Sequence, residues 1–459
     1  MKKITIGEIA KATGAKIYAG EEENAAERVI THVTTDSRQI QEGSLFVPLK
    51  GEKTDGHNFI DQSFEKGAAA CFSEEEREVP KNGVLLLVKD CKAALLEAAR
   101  YYRRLFDIPI IGITGSVGKT TTKDMVASVL SQKYCTLWTQ GNYNNDIGVP
   151  LTLFRLEEKH EAAVIEMGMN HFDEIHCLAD VVRPQVGLIS NVGVAHIEFL
   201  GSREGILKAK CELFDFMTEK DTAILNADND MLQTMEGKLS QKIRWFGVEN
   251  QKDIYADHLE AMGMDGTKCT LHTEQGSMEI AVPIPGRHMV LNAVSAAAVG
   301  IVCGLDLDEI RKGIEGFVPT KNRMTISHTE SGMTLLNDVY NSNPVSAKAS
   351  LDILENAEGR KIAFLGFMGE LGAYAPQMHN EVGAYAAGKT DVLICVGTYN
   401  EEMAKGAKEA GMKNVYCFDT QEQFWQEGLD LLEKGDTILL KASRSMGFEK
   451  TVEKLQGVK

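Results

Sequence analysis

The chain has 459 residues, with 49 Lys and Arg against 66 Asp and Glu, and a formal net charge of −17. Its 43% apolar and 25% charged residues are the balance of a globular protein, and the length suits about three domains at roughly 150 residues each. Such acidity is poorly suited to gripping a nucleic-acid backbone, and no run approaches the roughly 20 apolar residues of a membrane helix.

The start, Met1-Lys2-Lys3-Ile4-Thr5-Ile6, has a short basic cluster without the apolar stretch of a signal peptide. Nine cysteines stand singly, with no Cys-x-x-Cys pair. That spacing argues against a disulfide framework or a thiolate zinc site and predicts a reducing, cytoplasmic setting.

Residues 1–107 read as a small mixed α/β domain. Strands are predicted at Ser44–Leu49, Ala68–Phe72 and Val84–Val88, and a helix from about Lys92 to Phe106. Asp107-Ile108-Pro109 breaks the helical pattern, because proline disfavours helix in the residue before it. Residues 108–317 alternate strand and helix. The strands are Ile110–Thr114, Ala163–Met167, Val186–Ser190 and Thr222–Asn226, and helices run from Lys119 to about Gln132 and from His288 to Cys303. A hairpin is expected around Glu274-Gln275-Gly276. Residues 318–459 carry three more strand–helix units, with strands at Lys361–Leu365, Val392–Val396 and Thr437–Lys441. The fold class is therefore α/β: a small mixed domain, a central domain with a mostly parallel sheet, and a Rossmann-like last domain.

The sharpest local feature is Thr114-Gly115-Ser116-Val117-Gly118-Lys119-Thr120-Thr121, between a buried-type strand and a helix. Glycines there let backbone N–H groups approach phosphate, and the helix N-terminus adds positive potential. Lys119 would reach the β- and γ-phosphates, and the Thr120 hydroxyl would hold Mg²⁺. The general phosphate-loop pattern wants a glycine at Ile113, so the match is incomplete. Glu166 ends an apolar strand, a position where α/β sheets bind ligands. His196 follows another strand end. Asp228 and Asp230 read as turn residues, and Lys210 as a helix lysine.

Taken together these stretches resemble the Mur ligase family of ATP-dependent amide-forming enzymes, over essentially the whole chain. The likeness rests on Thr35-Asp36-Ser37-Arg38, Gly43 to Gly51 with Asp55-Gly56-His57, the Thr-Gly-x-x-Gly-Lys-Thr loop and Gly141 to Pro150. It continues through Glu166 to His171, Asn191 to His196, His288 to Ala293, Lys321 to Met324, Asp338 to Pro344 and Lys441 to Met446. Two positions depart from the family pattern: Phe367 stands where Asp is expected, and Ala442 where Gly is expected.

The resemblance implies a UDP-sugar-binding domain (1–107), an ATP-binding domain (108–317) and a last domain (318–459) that closes over ATP and a dipeptide. It implies that D-alanyl-D-alanine is joined to the terminal carboxylate of UDP-N-acetylmuramoyl-tripeptide through an acyl phosphate, in peptidoglycan synthesis. By the same resemblance, Gly115, Ser116, Val117, Gly118, Lys119, Thr120, Thr121, Asn292, Arg323 and Asp338 would bind ATP. Lys119, Lys210, His196 and Glu166 would be catalytic. Two Mg²⁺ ions would be held by Thr120, Glu166, His196 and Lys210, the last as a carbamate.

Asp36, Ser37 and Arg38 would meet the UDP-sugar, and Asn142, Asn144, Asn145, Asp146 and Arg444 the peptide substrates. The alternatives are an Asp-Ser turn with a surface arginine, Asn-Asn-Asp turn chemistry and a solvated Arg444. Neither a nucleic-acid nor a membrane partner is expected, and a monomer is. The competing readings are another family step, such as diaminopimelate or lysine addition, and a phosphate-loop ATPase acting as a switch. The acidity speaks against nucleic acid without speaking against nucleotides, whose binding depends on a few local donors.

Overall fold

Burial on both faces dictates the strands. Val392-Leu393-Ile394-Cys395-Val396 is buried at every position, as uninterrupted apolar runs are in parallel sheets. The computed structural model describes all residues except 22, 52, 53, 82, 458 and 459. The described chain forms two compact units. One comprises Met1–Thr114, Tyr134–Gly187 and Cys211–Asp221; the other comprises Gly115–Lys133, Leu188–Lys210 and Thr222–Lys459.

In the first unit a five-stranded sheet runs in the order Lys16–Ala19, Val84–Leu87, Ala68–Ser73, Ser44–Phe46, His32–Thr34. Only the Lys16–Ala19 edge is antiparallel to its neighbour. The helix Cys91–Arg103 is capped by Asp90, whose carboxylate accepts the Ala93 amide at 2.7 Å. It stops three residues short of the predicted Phe106. At its end the buried Arg103 donates to the carbonyls of Val182, Phe106 and Arg183, and burial pulls its pKa down to about 10. Ile110–Thr114 pairs in parallel with Ala162–Glu166, which pairs in parallel with Thr136–Trp138.

Tyr102 is wholly buried in this unit. Its hydroxyl accepts the Lys2 amide at 2.6 Å and donates to the Leu156 carbonyl at 2.6 Å. Tyr102→Phe leaves both backbone groups without that partner and should cost about 1–3 kcal/mol of stability, read as a lowered denaturation midpoint at unchanged far-UV circular dichroism.

In the second unit Thr222–Asn226, Lys242–Gly247 and Ile254–Ala261 are parallel neighbours, extended by the antiparallel hairpin Thr267–Thr273/Gly276–Val282. The helix Arg287–Val302 is buried along most of its length. Residues beyond it build a six-stranded sheet in the order Thr325–His328, Thr334–Asn337, Thr437–Lys441, Lys361–Gly366, Val392–Val396, Val415–Phe418. It is parallel except at its first strand. Asn343 caps the helix Pro344–Glu355, and Pro344 sits in its first turn, where a missing N–H costs nothing. The expected α/β class with mostly parallel sheets is therefore what the chain forms. Among the described residues, no helix is long and apolar enough to cross a membrane.

Candidate active site

The glycine turn opens the helix Lys119–Leu130 in the second unit. Gly118 adopts φ 79°, a left-handed conformation that side chains resist. A Cβ on Gly115 would lie 2.0 Å from Ser190 Oγ, so the turn passes against the chain after Leu188-Ile189. Asn191 fixes the turn from two sides. Its carbonyl accepts the Ser116 amide at 3.0 Å, and its side chain accepts the Val117 amide and donates to the Val117 carbonyl, both at 2.9 Å. Ser116 Oγ in turn accepts the Gly193 amide at 2.9 Å. The Lys119 ammonium lies back over the turn and donates to the Gly115 carbonyl at 2.8 Å. Thr121, next in the chain after Thr120, is half-buried.

Two other predicted residues of this unit, Arg323 and Asn292, meet the same helix start. Arg323 Nη2 donates to Thr120 Oγ1 at 3.1 Å. Asn292, on the helix Arg287–Val302, accepts the Thr122 hydroxyl at 3.2 Å. His196, itself at φ 64°, stands 3.0 Å from a Glu370 carboxylate oxygen. His196 holds the Glu370 carboxyl below the usual carboxylate range, and the Lys119 charge adds to this. Lys210, on the helix Arg203–Cys211, is only 1% exposed.

Tyr340 stacks under the Arg323 guanidinium at 3.9 Å and lies 5.5 Å from that of Arg444. Arg444 is otherwise exposed and bonded to Glu449. Asp338 faces away from solvent toward Lys441, 2.5 Å away, and accepts the Ser350 hydroxyl at 2.9 Å. Phe367 stacks on the ring of the buried His379. Asp228 and Asp230 do serve turns and ion pairs: Asp228 accepts the amides of Val248, Glu249 and Asn250, and Asp230 pairs with Arg203.

In the first unit Glu166 is buried at the end of its strand. Asn144 Nδ2 donates to Glu166 Oε1 at 2.7 Å. Asn142 is exposed. Asn145 accepts the amides of Ile147 and Gly148 at the start of the helix Gly148–Leu153, and Asp146 pairs with Lys92. Asp36, Ser37 and Arg38 form a turn. Arg38 grips Asp36 with two nitrogens, at 2.9 and 2.7 Å, and these bonds pull the Asp36 pKa down to about 2. Lys66 donates to the Ser37 carbonyl. A cavity of about 480 Å³ lies beside this turn, lined among others by Thr34, Gln39, Gln140, Tyr143 and Arg155. None of Asp36, Ser37, Arg38, Asn142, Asn144, Asn145 or Asp146 is part of its lining.

Asn191, Glu370 and Tyr340 are the site residues that sequence reasoning passed over as individuals. Asn191 and Tyr340 lay inside quoted stretches. Glu370 lies three residues after Phe367, one of the two positions that depart from the family pattern.

The chain is similar to known proteins along nearly its whole length. Residues 113–300 match the Mur ligase middle domain, residues 322–444 the Mur ligase glutamate ligase domain, and residues 29–103 the Mur ligase family catalytic domain. The UDP-N-acetylmuramoyl-tripeptide–D-alanyl-D-alanine ligase of Bacillus subtilis is 37% identical, with 93% of each chain covered. The Escherichia coli protein of the same name is 36% identical, over 94% of this chain and 95% of its own. A crystal structure of MurF from Acinetobacter baumannii superposes with a TM-score of 0.91 at 31% identity, covering 100% of both chains. A MurF ligase from Thermotoga maritima, solved in complex with ADP, gives 0.82 at 26% identity over 93% of this chain and 97% of that one. With three family domains in chain order and relatives this similar along nearly its whole length, the chain belongs to the Mur ligase family.

Proposed function

We propose that the chain is an ATP-dependent ligase that joins D-alanyl-D-alanine to the terminal carboxylate of UDP-N-acetylmuramoyl-tripeptide, giving the pentapeptide precursor of peptidoglycan. The observation that carries this is the helix start at Lys119. A left-handed glycine, a lysine and a threonine hydroxyl meet Arg323 there, a constellation suited to a transferring phosphoryl group. The names of the full-length relatives support the choice of substrates.

A carboxylate is a poor electrophile. Attack of its oxygen on the γ-phosphorus, with ADP leaving, makes an acyl phosphate. The dipeptide amine then attacks the acyl carbon, phosphate leaves and the amine loses a proton. This chain's task is positioning and charge stabilisation. Lys119 and Arg323 neutralise phosphoryl oxygens, the turn amides and Thr121 line the phosphates, and Asn292 supports the helix start beside them. Asp338 serves the ATP segment of the last domain. Asp36, Ser37 and Arg38 serve the UDP-sugar, Asn142, Asn145 and Asp146 the peptide, and Arg444 the dipeptide carboxylate.

Mg²⁺, when bound, would screen the phosphate oxygens. The donors fit such an ion: Glu166 is a buried carboxylate in its unit, and Thr120 and His196 offer a hydroxyl and an imidazole in theirs. Lys210 joins this set as a carbamate. Carbamate formation draws on the uncharged form of its amine. Addition of that amine to CO₂ forms an N–C bond, releases one proton and leaves carboxylate-like oxygens. Segments 1–107, 108–317 and 318–459 serve the UDP-sugar, ATP and the dipeptide in turn. A cytoplasmic monomer working without nucleic acid or membrane completes the proposal.

ATP turnover with a panel of UDP-muramoyl peptides and D-amino-acid dipeptides tests it, with product mass as readout. A new amide with D-alanyl-D-alanine is expected; phosphate release without any acceptor would overturn the ligase reading. Because Asn144 orients the Glu166 carboxylate, Asn144→Ala should weaken apparent Mg²⁺ affinity by roughly 10- to 100-fold, read from Mg²⁺ titration of turnover.

A further inference from the structure

We propose that His57, Glu74 and Cys91 form a zinc-binding site in the amino-terminal segment, separate from the ATP chemistry. The three come from different elements of one unit. His57 lies in the short helix Gly56–Phe59, Glu74 follows the strand Ala68–Ser73, and Cys91 opens the helix Cys91–Arg103. One ligand atom from each lies within 4.8 Å of the other two.

The hydrogen bonds around His57 suit a ligand imidazole. Asp55 Oδ1 stands 2.7 Å from His57 Nδ1, so Nδ1 carries the hydrogen and Nε2 the lone pair. That lone pair accepts only a long bond from the Glu74 amide, at 3.3 Å, which zinc would replace. A carboxylate behind a histidine is how metal-bound imidazoles are oriented. Cys91 Sγ lies 3.7 Å from Nε2. A tetrahedral zinc with bonds of about 2.3 Å to sulfur and about 2.0–2.1 Å to nitrogen has an S···N edge of roughly 3.5 Å.

Glu74 completes the set. Its Oε2 is held by Lys50 at 2.6 Å, while Oε1 accepts the Cys91 amide at 3.1 Å. A thiolate with an imidazole selects zinc over Mg²⁺. Zinc binding displaces the Cys91 thiol proton to solvent. The side chains of His57 and Glu74 are 14% and 21% exposed, so the ion has a way in from solvent. Scattered cysteines argue against a multi-thiolate zinc site; this one needs a single thiolate.

The test uses the full chain, zinc alone and Co²⁺ as a spectroscopic substitute. After gel filtration, one zinc per chain should remain, and X-ray absorption should show one sulfur among nitrogen and oxygen neighbours. Co²⁺ should give a thiolate charge-transfer band that Cys91→Ser removes and Cys417→Ser keeps. Cys91→Ser should weaken zinc at least tenfold, and Asp55→Asn by roughly 10- to 100-fold. Wild-type protein that retains no zinc, or whose bound zinc has no sulfur neighbour, overturns the site whatever the variants do. So does a cobalt–thiolate band that survives in folded Cys91→Ser.

Discussion

Lys119→Met should lower kcat/KM for ATP by about 10³-fold or more, equal to roughly 4 kcal/mol of transition-state stabilisation, with the fold unchanged. The lysine is the first residue of its helix, directly after left-handed Gly118, and its ammonium already lies over the Gly115 carbonyl. Methionine keeps the chain length and removes the charge, so the turn held by Asn191 stays in place. What is lost is a cation beside phosphoryl oxygens whose charge redistributes in the transition state. Arg323 remains on Thr120, yet one guanidinium on a hydroxyl does not replace an ammonium over the turn. Phosphate release under saturating acceptor, with circular dichroism and thermal midpoint as controls, measures the effect. Activity within tenfold of wild type would remove Lys119 from the chemistry.

Legibility followed locality. Ile110–Thr114, Thr222–Asn226, Val392–Val396 and Thr437–Lys441 have the bounds expected of them, because burial on both faces demands an unbroken apolar run and polar residues end it. Of the strands that went unread, some are short edge strands, while Lys242–Gly247 and Ile254–Ala261 lie inside their sheet but carry charged residues that break the apolar run. Thr136–Trp138 has three residues, and Val415–Phe418 is largely exposed at the end of its sheet. The phosphate turn was legible because its parts are consecutive. Its support was not: Asn191 meets Val117 from 74 positions away, and no local pattern marks such a pairing. Phe367 looked like a lost carboxylate, whereas in the fold it is a ring on His379, three residues before the Glu370 that touches His196. Charge misleads in a similar way. A net −17 describes the surface as a whole, while Lys119 and Arg323 act over a few ångströms.

Lys441→Met should destabilise the last domain by about 3 kcal/mol, the lower end for breaking a buried ion pair. Lys441 is 2% exposed, and its ammonium bonds Asp338 at 2.5 Å and the Asn341 carbonyl at 3.1 Å. Asp338 also accepts the Ser350 hydroxyl. One ammonium thus ties the end of the strand Thr437–Lys441 to the turn after Thr334–Asn337 and to the helix Pro344–Glu355. Removing it leaves a carboxylate of 16% exposure with the serine as its remaining bonded side chain. Trp425 packs against this domain's core, so its fluorescence in a Trp138→Phe/Trp245→Phe background follows the loss during urea denaturation. Replacing both charges, as Lys441→Met/Asp338→Leu, should recover part of the stability, since no lone charge is then left inside. The same cycle separates two roles for Asp338. If it serves ATP only by anchoring Lys441, KM for ATP should move with stability across the cycle. If it also contacts the nucleotide, Asp338→Asn should raise KM for ATP beyond what its stability loss accounts for.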